Sequence, residues 1–172
     1  MKRMMIASLV LLCAGAAQAH DESKERAEAA KNAPALAAAL KDASVSLADG
    51  IKASESEGMP ISAKYEVEDG KLQLSVYTMK GDKYSEVIVD HKTGKVAKAE
   101  PITGGEDLEA AQDQGKAMGS TKRSLGELVA KAEQANAGYK AVSVHAEMEK
   151  GKGEADVTLL KGTQTKQVEE KL

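Results

Sequence analysis

The chain has no tryptophan and no phenylalanine, and four tyrosines are its whole aromatic content. A core without large rings must be filled by Ala, Val, Leu and Ile, which argues against a deep aromatic-lined ligand pocket. There is one cysteine, Cys13, so no disulfide can form within the chain. Apolar runs are short. The longest near the start, Met4 to Leu12, is well below the roughly 20 residues a spanning helix needs, and no later stretch is longer. There is no excess of positive charge. The formal net charge is −3, which points away from nucleic acid and anionic membrane as partners. Nor is there a nucleophile signature such as G-x-S-x-G. Gly104-Gly105 lacks the context of a phosphate-binding loop and reads as linker.

What is present begins with an export signal at residues 1–19. Lys2 and Arg3 form a positive leader, Met4 to Leu12 an apolar segment, and Ala17-Gln18-Ala19 a small-x-small cleavage site. The mature chain is expected to begin at His20 and to be periplasmic or secreted. Leu12 is too large to precede a lipidated Cys13, so the cysteine leaves with the signal. Cleavage removes two of the 24 basic residues and none of the 27 acids, taking the net charge from −3 to −5.

The densest signal lies between Ile61 and Val96. Ile61, Ala63, Tyr65 and Val67 alternate with polar residues, and Leu72, Leu74 and Val76 do so again. A period of two places each set on one face of a sheet. Asp69-Gly70 between them is a type I′ hairpin signal. Lys80-Gly81-Asp82 marks a second turn, followed by a strand through Val87 and Val89. Asp90 to Gly94 is a longer turn, in which Asp90 bonds forward and Gly94 suits a left-handed position. Val96 opens a fourth, short strand.

Residues 20–45 are rich in Ala, Glu and Lys and predict helix, interrupted near Pro34. Ser46 to Asp49 forms a capping box and starts a second helix, which Gly58 and Pro60 end. Residues 99–123 read as a linker holding one helix from Glu106 to Met118. Ser124-Leu125-Gly126-Glu127 then repeats the capping box, and the pattern of residues 46–98 returns over residues 124–172. Gly81 and Gly162 are 81 residues apart, as are Tyr65 and Ala146, and Val76 and Val157. The second unit lacks a counterpart of the turn and strand from Asp90 to Val96. The expected fold is α+β, with two tandem repeats, each a helix packed on an antiparallel meander.

The run Val89-Asp90-His91-Lys92-Thr93-Gly94-Lys95-Val96 resembles the ending of PepSY domains, matching at Val89, Asp90, Thr93, Gly94 and Val96. The Tyr65 strand, the Asp69-Gly70 turn and Tyr84 fit the same pattern. The resemblance covers about residues 46–98, while residues 124–172 share pattern only. It implies a cystatin-like helix on a sheet, and a role in binding or restraining peptidases. The matched residues Asp69, Gly70, Asp90, Thr93 and Gly94 belong to turns, as does Gly81, so they identify a fold rather than a site.

Candidate site residues are sparse. His20, His91 and His145 have no mutual ligand spacing and read as solvated. No metal or cofactor is expected. Glu66, Glu68 and Asp69 read as a solvated acidic face, with a calcium or partner patch as the alternative. Tyr77 and Tyr84 fall on the sheet face opposite the second helix, either as a partner surface or as cross-strand packing. The expectation is a non-catalytic exported module that engages a protein partner in the envelope, with a peptidase the suspected class. A structural or stress-related envelope protein is the alternative. Intact mass of the exported protein is expected to start at His20, and a retained Met1 would refute the signal assignment.

Overall fold

The computed structural model describes residues 15–119 and 121–172, with side chains from residue 27 onward. Most of the expected export signal, including Met4 to Leu12 and Cys13, lies outside the described residues. Helix α1 spans Gly15–Ala39 and ends in a 3-10 turn, Leu40–Asp42. Helix α2 (Leu47–Ser54) leads into strands β1 (Met59–Glu68), β2 (Lys71–Lys80), β3 (Lys83–Val89) and β4 (Val96–Ile102). Helix α3 (Gly105–Met118) follows. Helix α4 (Leu125–Ala135) then leads into β5 (Lys140–Glu149), β6 (Lys152–Lys161) and β7 (Gln164–Lys171).

The α+β class is as expected. All seven strands form one antiparallel sheet in the order β4-β3-β2-β1-β5-β6-β7. The two meanders meet where β1 pairs with β5, through Ser62–His145, Ala63–Val144 and Lys64–Ser143.

Both capping boxes are made. Ser46 accepts from the Asp49 amide and Asp49 accepts from the Ser46 amide, and Ser124 and Glu127 do the same at α4. These boxes fix where each short helix starts. Leu47 and Ile51 of α2, and Leu125, Leu128 and Val129 of α4, then point at the sheet and are buried. They cover Ala63, Tyr65, Leu74, Val76, Val87, Val89, Val144, Val157 and Leu159, all on one sheet face. Small residues allow close approach. A Cβ placed at Gly50 of α2 would lie 2.4 Å from Leu74 Cδ2. The Tyr65 hydroxyl donates to the Val45 carbonyl at 2.6 Å and ties the segment before α2 to β1. Burial, with Asp49 nearby, pushes this phenol up to about 12.

Helices α1 and α3 pack on the opposite face. Helix α1 differs from expectation, because it runs through Pro34 without a break. Proline there removes one backbone hydrogen bond, but the surrounding alanines have the best helix propensity. Docking of Ala33, Leu36 and Leu40 against Val142 and Leu160 fixes the helix end. The linker helix is found at Gly105–Met118, close to the expected Glu106 to Met118, and β4 extends into the stretch read as linker, reaching Ile102.

The turns take the conformations their residues favour. Asp69 and Gly70 have φ of 48° and 74°, a type I′ pair. Lys150 and Gly151, 81 residues later, have 48° and 80°, and Gly81 and Gly162 have 62° and 59°. Strand β1 is bulged between Pro60 and Ser62, and β5 between Ala141 and Ser143. In the turn after β3, Asp90 Oδ1 accepts from the Lys92 and Thr93 amides at 2.9 and 2.8 Å, and the Gly94 amide donates to the Asp90 carbonyl at 2.8 Å with φ of 71°. The bonds from Thr93 and Lys92 hold the Asp90 carboxyl below the usual carboxylate range.

Gly94→Val is expected to lower stability by about 1–3 kcal/mol, because a β-branched residue is strained at positive φ. His91→Ala is expected to cost less, since it is the backbone carbonyl of His91 that accepts from the Ser44 and Val45 amides. Equal melting temperatures for the two variants would show that Gly94 bears no conformational constraint.

Candidate functional site

The sheet face under α1 and α3 is polar at its centre. Strand pairing lines up one row across it: Tyr77 of β2, Ser62 of β1, His145 of β5 and Asp156 of β6. A second row holds Ser75, Lys64, Ser143 and Thr158. The alternation that sends valines to α2 and α4 sends these residues the other way. Between α1 and α3 this floor is open as a cleft of about 640 Å³. Glu28, Asn32 and Leu36 of α1 form one wall, and Asp107, Ala110 and Gln114 of α3 form the other.

Polar groups on the floor are bonded to one another. Lys64 Nζ lies 2.8 Å from Glu66 Oε2, Ser75 Oγ donates to Glu66 Oε1 at 3.3 Å, and Gln73 donates to Ser75 Oγ at 3.0 Å. Glu66 is therefore engaged within the sheet, whereas Glu68 and Asp69 are exposed at the hairpin tip. Burial, followed by the carboxylates of Glu86, Asp107, Glu66 and Glu68, pushes the Tyr77 phenol well above its usual value. Tyr77 is thus a neutral hydrogen-bonding group at any physiological pH.

The two tyrosines singled out in the sequence have separate settings. Tyr77 lines the cleft. Tyr84 sits beneath α3, where a Cβ placed at Gly115 would lie 3.0 Å from its hydroxyl and 2.8 Å from Met79 Sδ. Both are half-buried, so they do not make one open patch. The turn residues Asp69, Gly70, Gly81, Asp90, Thr93 and Gly94 lie at strand ends, away from the cleft lining.

A cluster that sequence spacing does not reveal stands beside the cleft, with His145 in the lining. His145, Glu147 and Asp156 each bring one ligand-type atom to within 4.8 Å of the others. His145 and Glu147 are two apart on β5 and share a face, and Asp156 is directly across from His145 on β6. Asp156 is buried at 8% exposure, and His145 and Glu147 are half-buried. Spacing among the three histidines gives no hint of it. The partner of His145 is a carboxylate on the next strand, visible only once that pairing is aligned.

The other distinctive surface is the outer strand β7. Its charged residues face two ways. Glu170 is buried and pairs with Lys131 of α4, and Lys166 bonds to Asn136 at the end of α4. Arg123 donates to the Lys171 carbonyl at 2.7 Å. No further strand pairs with the outer side of β7 among the described residues. No helix among them is long and apolar enough to cross a membrane.

Gly115→Leu is expected to displace α3 from Met79 and Tyr84 and to cost about 1–3 kcal/mol, the usual penalty for overpacking. Gly104→Ala is the control, because nothing lies within 4 Å of a Cβ at that position. Urea midpoints, with amide exchange across α3, check this; equal midpoints would mean that α3 does not rest on those two side chains.

Comparison with family models, with curated proteins and with solved structures gave no match for this chain.

Proposed function

We propose that this chain is an exported, non-catalytic binding module made of two tandem PepSY-like units, and that it engages a protein partner in the cell envelope along the free edge of β7. The observation that carries the reading is the position of β7. Its counterpart by the 81-residue offset is β3, and β3 is covered by β4. Strand β7 ends the sheet on the other side with no strand beyond it among the described residues. An outer strand offers backbone N–H and C=O groups that can accept an extended segment of another chain.

Three correspondences support the tandem reading. The positive-φ turns recur at the same offset, and so do the bulges in β1 and β5. The central pair Ala63–Val144 also joins residues 81 apart. The peptidase class of partner comes from the resemblance of Val89 to Val96 to PepSY endings. The non-catalytic reading is supported by the floor residues Lys64, Glu66 and Ser75, which are engaged with one another within the sheet.

Charges do not block the edge uniformly. Glu170 and Lys166 are drawn toward α4, which leaves Glu169 and Lys171 as the charges on the other side. Amide exchange tests the reading. In the free protein, amides from Gln164 to Lys171 that point away from β6 are expected to exchange quickly, and to slow on addition of the envelope peptidase the protein inhibits. Full protection of those amides in the free protein would overturn the edge as the contact. Absence of inhibition across envelope peptidases would favour a structural role.

A further inference from the structure

The geometry points to a divalent transition-metal site of the zinc class formed by His145, Glu147 and Asp156 beside the cleft, which His145 lines. The inference does not depend on strand addition at β7. Its basis is the donor set and the way the backbone presents it. Imidazole nitrogen and carboxylate oxygen are both donor types that zinc and its neighbours accept, and three protein ligands leave a position open for water or a ligand. Calcium, by contrast, takes six to eight oxygens, which three side chains with one imidazole do not supply.

The three residues need no loop to bring them together. His145 and Glu147 project from one face of β5, and β6 places Asp156 opposite His145. His145 is next to the β1–β5 joint, paired with Ser62, so its backbone is held on both sides. The donor atoms lie within 4.8 Å of one another, whereas ligands of a tetrahedral zinc at about 2.1 Å lie roughly 3.4 Å apart. Metal binding therefore requires the three side chains to move inward. All three residues already have interaction partners within the fold. A metal would therefore replace some of these, which predicts a moderate affinity and an apo protein that stays folded. Of the three, His145 lines the cleft, which gives a metal ion a side of approach.

The test uses the full exported protein, stripped with a chelator, in a His20→Ala/His91→Ala background, so that His145 is the sole histidine left of the three. Zinc(II) is titrated by calorimetry, and cobalt(II) is followed by its visible d–d absorption. The expected result is one metal per chain, with cobalt bands of a low-coordinate nitrogen–oxygen site. His145→Ala and the near-isosteric Asp156→Asn are each expected to weaken binding at least tenfold, with the melting temperature in chelator close to the parent's. Calcium is expected not to compete. Absence of zinc binding in the parent background would overturn the proposal. So would binding of equal strength in Asp156→Asn, a variant that preserves size and so keeps the test valid if His145→Ala is unfolded.

Discussion

Everything in this fold depends on the pairing of β1 with β5. Only three residue pairs make the joint, yet they turn a four-stranded meander and a three-stranded one into one seven-stranded sheet. Joining the strands also brings α2 and α4 side by side, so close that a Cβ placed at Gly126 of α4 would lie 3.8 Å from Ile51 of α2. One sheet face is thereby sealed with small aliphatic groups. The other gains a polar row running from Tyr77 to Asp156 that neither meander would hold alone. Apolar burial stabilises at about 25 cal/mol per Å², and a core of Val, Leu, Ile and Ala obtains it by close approach of helices instead of by large rings.

Local features of this structure were legible in the sequence because they are decided locally. Asp69-Gly70 and Gly81 adopt positive φ because few other residues do so cheaply. Ser46 and Ser124 start helices because each lies three residues before an acid that closes the box. The alternation through Ala63 and Tyr65 in β1 and through Leu74 and Val76 in β2 indicated the apolar face. What was not legible is tertiary. Nothing in the order of residues shows that Ala63 will lie beside Val144, and His145 acquires its neighbour Asp156 through strand pairing. Pro34 reads as a helix breaker until docking of Leu36 and Leu40 is taken into account. Tyr84 reads as surface until α3 is laid over it at Gly115.

The polar face is unusual in that its helices do not seal it. Helices α1 and α3 stand apart over the centre of the sheet and leave the cleft between them. Packing on either side is tight where residues are small, as at Ala33, Ala111 and Gly115. The floor remains hydrogen-bonded by groups such as Lys64, Glu66 and Ser75, which removes the penalty that bare polar groups would carry beneath two helices.

The bulges at Pro60/Ser62 and Ala141/Ser143 flank the joint on both strands, and each inserts one residue ahead of the residues that alternate between core and cleft. Their effect is like that of a reading frame in space. Loss of a single residue from either bulge would move Ser62 and Lys64, or Ser143 and His145, to the apolar side and bring Ala63 or Val144 to the polar one. Length changes should therefore accumulate through descent at the exposed hairpin tips around Gly70, Gly81, Gly151 and Gly162, while β1 and β5 keep their residue count even as their side chains drift.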